Sequence, residues 1–349
     1  MIESIVIENF RCFEKLTVSN LRRINIVVGR NSSGKTALLE ALFLTLGNSP
    51  EIVFRLRRWR GMGEGIKIIF EKSFYEALWQ DLFYSLDKNR TISIIPIGSP
   101  KVPRSLRIFY KPEEVLTLPI GDQQIDPTRI APITFEWKNS TGEAFSVQPA
   151  LTSQGVQISI AGIGAPGALF SSFLVPDPQE NAARFSELSK LNQEKDFIDV
   201  LRREFPWIEN LGVEVSGGIT QIYASLSSLE VKLPVTIVSG GVNKLMSVLL
   251  AMANYPNGTI LIDEVENGFY YDRILPVWSA LLHFSQKYDN QVFASTHSLE
   301  CLKATLPIIK NHEEEFCLIR LEREGLHSRP RVFTGRDLVR AIEQEIEVR

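Results

Sequence analysis

An α/β fold is the class this sequence predicts, and three observations predict it. The apolar run INIVV (24–28) leads straight into GRNSSGKT (29–36), and ALLEALFLTL then continues at helical period. A second apolar run, ILI (260–262), ends in Asp263-Glu264. A third, QVFAS (291–295), delivers Thr296-His297. Buried strands that end in a glycine-rich loop, a pair of acids and a polar tip are the arrangement of a P-loop nucleotide-binding fold.

The first element, SIVIENF, alternates as a strand; a polar stretch separates it from INIVV. The segment Gly29-x4-Gly34-Lys35-Thr36 fits the P-loop pattern in full. Its glycines let the backbone of Arg30, Asn31, Ser32 and Ser33 turn N–H groups toward phosphates. The helix start through Ala37 adds the positive end of its dipole. Lys35 reaches the β- and γ-phosphates and Thr36 offers a hydroxyl to Mg²⁺. Gly47 is a plausible stop for that helix.

Between about 64 and 160 the chain carries short β-like runs, IKIIF, TISIIPI, LRIFY, ITFEW and VQISI, separated by Gly, Pro and Asn-Ser turns. They predict an antiparallel sheet added to the N-terminal element. Residues 177–205 read as polar helix. The tetrapeptide VSGG then occurs twice, at 215–218 and 238–241. The first copy lies between VEV and ITQIYASL, two alternating runs, which makes it a hairpin turn. The second leads into VNKLMSVLLAMANY, where Val242, Leu245, Met246, Leu249 and Leu250 recur at helical spacing. Ser239 is therefore a helix N-cap, a position that favours a phosphate. A helix through 273–288 and an αβα-like tail complete the chain, with no internal repeat, heptad run or clean domain boundary.

A strand that ends in Asp263-Glu264 complements a P-loop. Asp263 suits holding Mg²⁺ through water, and Glu264 suits polarising the attacking water. His297 arrives at the same kind of strand end and is suited to a γ-phosphate contact. His283, His312 and His327 lack such a setting.

Composition narrows the alternatives. The 349 residues are 44% hydrophobic and 23% charged with a formal net charge of −3, so the total charge does not advertise a polyanionic partner. The three cysteines are scattered, which argues against a zinc site or disulfide framework. MIESIVIENF has neither the basic start nor the apolar core of a signal peptide, and no apolar run approaches a membrane span. The expectation is a cytoplasmic protein with no membrane contact.

IENFRCF (7–13), GRNSSGKT, the serine-glycine-glycine element, ILIDEVENGFYY (260–271) and ASTHS (294–298) together resemble the ABC-ATPase superfamily, in its RecF/SMC-like branch and nearest the OLD family. Glu266-Asn267-Gly268 after the acidic pair is the most branch-specific feature; OLD-like chains often continue Leu-His where this one has Phe269-Tyr270. The resemblance implies one ABC-type ATPase head over 1–349 with an added antiparallel β-rich region. Lobe I would be about 1–175 plus 258–349, and helical lobe II about 176–257. It implies ATP and Mg²⁺ held between two copies packed head to tail. Lys35, Thr36, Asp263, Glu264 and His297 would act in cis, and Ser239, Gly240 and Gly241 in trans, with Asn267 in the loop that crosses between copies. It also places Arg11 near the nucleotide, with a surface arginine beside an aromatic as the alternative. Gln80 is the candidate Mg²⁺-sensing glutamine, with a solvated helix glutamine as the alternative. A Toprim nuclease domain, an SMC arm and a hook are not expected.

The function so implied is an ATP-driven conformational switch. It would gate a nucleic-acid-processing or antiviral partner, in DNA repair or phage defence, such as a separately encoded nuclease. The alternatives are a nucleotide-gated scaffold with incidental turnover, against which an intact Glu264 argues, and a transporter ATPase subunit, against which Glu266-Asn267-Gly268 argues. Arg55, Arg57, Arg58 and Arg60 around Trp59 are a candidate DNA or RNA contact or else a solvated helix end. Arg329, Arg331, Arg336 and Arg340 form a weaker basic cluster, and Glu313–Glu315 a solvated turn.

Overall fold

The computed structural model describes residues 1–60, 78–99, 104–111, 116–117, 129–139, 141–152, 155–157, 164–172, 176–325, 327–344 and 346–348. The chain divides into two compact units. Unit 1 comprises Met1–Arg22, Val27–Ala165 and Ile319–Val332; unit 2 comprises Arg23–Ile26, Pro166–Leu318 and Phe333–Arg349.

Unit 1 is built on an antiparallel sheet in the order Phe13–Ser19, Ile2–Phe10, Ile92–Gly98, Ser105–Tyr110, Ile133–Lys138, Ala144–Val147. Its register lines up Ile7, Ile94, Leu106 and Trp137 across four strands, and all four are fully buried. One face of the sheet is thus a continuous apolar surface, as period-two alternation dictates. The helix Lys35–Leu46 is buried on all sides from Ala37 to Leu46, which is why its sequence is apolar all round. The Trp137 indole donates to Leu44 O at 3.1 Å, satisfying a polar atom inside this core.

That helix also carries Glu40, only 2% exposed. Two guanidiniums neutralise it: Arg11 Nε at 3.2 Å and Arg60 Nε at 2.5 Å. Asp81 is paired in turn with Arg11 and with Arg57 Nη2 at 2.6 Å. A buried carboxylate stripped of such partners costs several kcal/mol, so these arginines hold the core together.

Unit 2 centres on parallel strands Gly167–Phe170, Thr259–Ile262 and Gln291–Ser295, paired Leu169 to Leu261 to Phe293. Arg23–Ile26 continues this sheet: Val292 N donates to Arg23 O at 2.8 Å, and Asn25 Nδ2 to Val292 O at 3.0 Å. Thr259–Ile262 and Gln291–Ser295 are buried at every position, as parallel strands covered on both faces must be. The strands Ile24–Val28 and Phe316–Glu324 each begin in unit 2 and end in unit 1. Helix Gly240–Asn254 is fixed against Pro178–Lys190 by Asn181 Nδ2 to Ser247 Oγ at 2.7 Å and Asn254 Nδ2 to Arg184 O at 3.1 Å. The helices Glu194–Glu204, Ile274–Lys287, Leu299–Asn311 and Gly335–Glu343, and a hairpin of Ile208–Ser216 with Ile219–Leu226, complete the unit.

The α/β class and the added antiparallel sheet are as the sequence predicts, and the differences are local. FEKLTVS, read as a polar stretch, is a strand that buries Phe13, Leu16 and Val18 against Ile2–Phe10. Its charged positions face outward, and a tight turn with Arg11 at φ 51° hides the boundary between the two strands. The tail is helix, hairpin, helix rather than αβα, because the half-exposed strand His327–Thr334 carries a proline and little apolar alternation. IKIIF (66–70) lies outside the described residues. Of VQISI, only residues through Gln157 are described, in a short hairpin with Ala150–Thr152.

Candidate functional site

The phosphate loop lies in unit 1. Gly29 and Gly34 sit at φ 147° and 106°, and Ser32 at φ 63°. A Cβ on Gly29 would lie 2.4 Å from Leu321 O, and one on Gly34 would lie 2.7 Å from the Phe13 ring. Only glycine fits either place, so the backbone is free to form a tight nest of N–H groups. Lys35 folds back over the loop and donates to Gly29 O at 2.8 Å and Arg30 O at 3.3 Å. Its ammonium thereby stands at the loop's own rim. Arg323 Nη1 holds Ser32 O, and Ser328 Oγ holds Ser33 O, each at 3.4 Å. Ser33 Oγ is buried with no hydrogen-bond partner among the described residues, a spare hydroxyl inside the loop. Arg30, Asn31, Ser32 and Thr36 are exposed, whereas Ala37 is buried. A glycine cradle with an ammonium at its rim and an unpaired hydroxyl within fits the phosphates of a nucleotide. The hydroxyl of Thr36 is the hard oxygen donor that Mg²⁺ prefers.

The acidic strand end lies in unit 2. Asp263 is 6% exposed and accepts from Ser295 Oγ at 2.6 Å; the same Ser295 Oγ accepts from Glu264 N at 2.8 Å. One serine on the neighbouring strand therefore fixes both acids. Glu264 takes the left-handed conformation, φ 50°, and its carboxylate accepts the Asn267 side-chain amide. Glu266 accepts from Thr296 Oγ1 at 2.9 Å and from His297 N at 3.2 Å, and stands 3.3 Å from His297 Nδ1. His297 is 55% exposed, so Nε2 is the nitrogen left to face outward.

Ser239 caps the helix Gly240–Asn254, its Oγ accepting from Val242 N at 3.4 Å. A Cβ on Gly240 would meet nothing within 4 Å, whereas one on Gly241 would lie 2.5 Å from Gly268 O and 3.2 Å from the Phe269 ring. The helix start is thus open on the Ser239–Gly240 side and packed on the Gly241 side. Lys244, one turn on, donates to Glu264 O at 2.8 Å and Asn267 O at 3.1 Å. Burial pushes its ammonium from 10.5 down to about 8, despite the nearby carboxylates of Glu266, Glu264 and Asp263.

Arg11 has its guanidinium on Glu40 and Asp81, inside the core of unit 1. Gln80 is half-buried and donates to Leu86 O at 3.2 Å, one residue before Asp81. Within the basic run, Arg57 pairs with Asp81, Arg60 with Glu40, and Arg55 lies over the Phe43 ring. In the tail cluster, Arg329 pairs with Glu324, Arg331 with Glu322 and Arg336 with Glu313. Five of the eight arginines in the two clusters, Arg57, Arg60, Arg329, Arg331 and Arg336, thus carry an acidic partner of their own chain. Among the described residues no helix is long and apolar enough to cross a membrane.

Sequence reasoning gave no role to Lys244 or Ser295, and read Glu266 and Thr296 only as parts of motifs. Lys244 had a usable signal, being the sole charged residue in an otherwise buried helix. The other three flank residues that were singled out.

Comparison with known proteins converges on one family. The AAA_15 model, an AAA ATPase domain, matches residues 1–210. An ATP/GTP phosphatase of Helicobacter pylori is 23% identical over 379 residues, 99% of each chain. The DNA replication and repair protein RecF of Acetivibrio thermocellus is 25% identical over 129 residues, 35% of each chain. Among solved structures, an SMC head bound to the C-terminal winged-helix domain of ScpA superposes with a TM-score of 0.53 at 13% identity, covering 95% of this chain and 98% of that one. The chain belongs to the AAA ATPase domain family, is an ATPase, and shares its fold with SMC head domains.

Proposed function

We propose that this ATPase is a nucleotide-driven switch in which two copies pack head to tail. Each copy gives Lys35, Thr36, Asp263, Glu264 and His297 to one ATP, and Ser239 with Gly240 to the ATP of the other. The observation that carries the reading is the helix start at Ser239, capped, glycine-lined and open on its outer side, beside the turn that holds Glu264. An open helix N-terminus attracts a phosphate that its own chain does not supply.

In this reading the loop N–H groups and Lys35 cradle the phosphates. Glu264, oriented by Asn267, accepts a proton from the attacking water. His297, held at Nδ1 by Glu266, turns Nε2 toward the γ-phosphate. Mg²⁺ would neutralise phosphate charge; Thr36 and Asp263 are the oxygen donors for it, with Gln80 its sensor. Lobe I (about 1–175 and 258–349) would hold these groups and lobe II (about 176–257) the Ser239 helix. Arg11, anchored on Glu40, would act by fixing the helix that leaves the loop.

Hydrolysis would open the pair and so gate an effector. Glu266-Asn267-Gly268 favours an OLD-like role, with a separately encoded nuclease as effector and DNA or RNA as its substrate. The similarity to RecF agrees with a nucleic-acid process. Because most arginines of the two clusters are paired with acids of their own chain, the nucleic acid would be bound chiefly by the effector. A cytoplasmic setting accords with that role.

The test is sizing of Glu264→Gln with and without Mg-ATP. The proposal expects a monomer that becomes a dimer only with Mg-ATP, and no dimer when Lys35→Ala is added. A mass unchanged by Mg-ATP overturns it.

A further inference from the structure

The helix that opens at Ser239 carries a single charged residue, Lys244, among buried neighbours. A methionine would fill the same run without desolvating a charge, so the ammonium is there for its two acceptors. Those acceptors, Glu264 O and Asn267 O, are the two ends of the turn beyond the acidic strand. Glu264 O accepts a second bond from Asn267 N at 3.0 Å, and the Asn267 side chain holds the Glu264 carboxylate. Glu264 is in the left-handed region at φ 50°, which a residue with a Cβ keeps only when its surroundings over-determine it. On the same side of the helix, Gly241 packs so closely on Gly268 O that no Cβ fits between them. The helix start and the Glu264 turn therefore form one rigid piece.

We propose that Lys244 is a positioning residue, tying the Glu264 turn to the Ser239 helix so that a phosphate bound at the helix start sets the Glu264 carboxylate of the same chain. The inference rests on the two-copy reading above. In that reading, the ATP that touches Ser239 belongs to one site, while Glu264 works at the other. Lys244 is then the link by which filling one site readies the second, and turnover is cooperative in ATP. The carbonyl oxygens of Glu264 and Asn267 remain fixed as long as the ammonium bridges them. Once it is gone, the turn relaxes and the carboxylate loses its aim.

The experiment compares wild type, Lys244→Met and Lys244→Arg in four readouts: kcat and the ATP Hill coefficient, nucleotide Kd by fluorescent-ATP titration, Tm, and specific activity against chain concentration. The expectation for Lys244→Met is a kcat lower by about 10- to 100-fold and a Hill coefficient falling toward one. Its Kd stays within about twofold and its Tm within a few degrees, since losing a buried charge offsets losing two hydrogen bonds. Lys244→Arg recovers part of kcat, because a guanidinium reaches the same carbonyls. An unchanged kcat and Hill coefficient in Lys244→Met overturns the proposal. So does a parallel loss of Kd and Tm with no recovery in Lys244→Arg, which marks a purely structural lysine. A wild-type specific activity that does not rise with concentration overturns the two-copy reading itself, independently of how Lys244→Met behaves.

Discussion

Residues 215–218 and 238–241 are the same tetrapeptide, VSGG, in two different structures. In the first, Gly217 and Gly218 sit at φ 58° and 79° and reverse the chain between Ile208–Ser216 and Ile219–Leu226. A Cβ on either would meet nothing within 4 Å, so only the backbone angle requires glycine there. In the second, neither glycine has positive φ, and Gly241 is required because Gly268 O lies against it. The serines differ in the same way: Ser216 is exposed at a strand end, and Ser239 caps a fifteen-residue helix. Four identical residues do not decide the structure. The segments C-terminal to them do, ITQIYASL alternating at period two and VNKLMSVLL at helical period.

Mutations can break or sharpen this contrast. The largest effect is expected from Gly241→Ala, whose Cβ must displace Gly268 O and the Phe269 ring. ATP turnover should fall by about 100-fold or more, with about 1–3 kcal/mol lost in a denaturant titration. Gly240→Ala, with open space at its Cβ, should hold its stability. Equal Tm losses at 240 and 241 would remove the distinction between the open and packed sides.

Next in size is the pH dependence. The Lys244 ammonium, pushed down to about 8, faces Glu266, Glu264, Asp263 and Cys301. Turnover should therefore fall severalfold as pH rises through about 8, and Lys244→Arg should move that limb to higher pH. The stability linkage has the opposite direction. The folded value lies below the ordinary 10.5, so this group's contribution is full above 10.5 and is lost as pH falls through about 8. A rate profile flat from pH 7 to 9 would contradict this account of the lysine.

Smaller effects separate the two serines and the two turns. Ser239→Ala should cost about 1 kcal/mol as a lost helix cap, while Ser216→Ala should stay within about 0.5 kcal/mol. Gly218→Ala should cost about 1 kcal/mol through its left-handed backbone, with turnover unchanged. A loss of turnover in Gly218→Ala would show that the hairpin takes part in the reaction.

Much of this was legible in the sequence because the relevant signals are local. Gly29-x4-Gly34-Lys35-Thr36 fixes its own loop, and buried parallel strands announce themselves as apolar runs ending in Asp263 and Thr296. The illegible features depended on pairing across the chain. The guanidiniums of Arg57 and Arg60 look like a polyanion contact until Asp81 and Glu40 are seen beside them. The strand FEKLTVS hides because its outward positions are charged. The roles of Lys244 and Glu266 were hidden because their partners are backbone atoms and a residue 31 positions away, which no motif records.

The most direct test of the central claim, that 238–241 and not 215–218 meets a second copy's nucleotide, is a side-by-side measurement of kcat for Ser239→Arg and Ser216→Arg, with nucleotide Kd measured in parallel. The account predicts a kcat for Ser239→Arg lower by about 100-fold at unchanged Kd, with Ser216→Arg indistinguishable from wild type. Equal turnover in the two variants, or a loss of Kd in Ser239→Arg that matches its loss of rate, would contradict it.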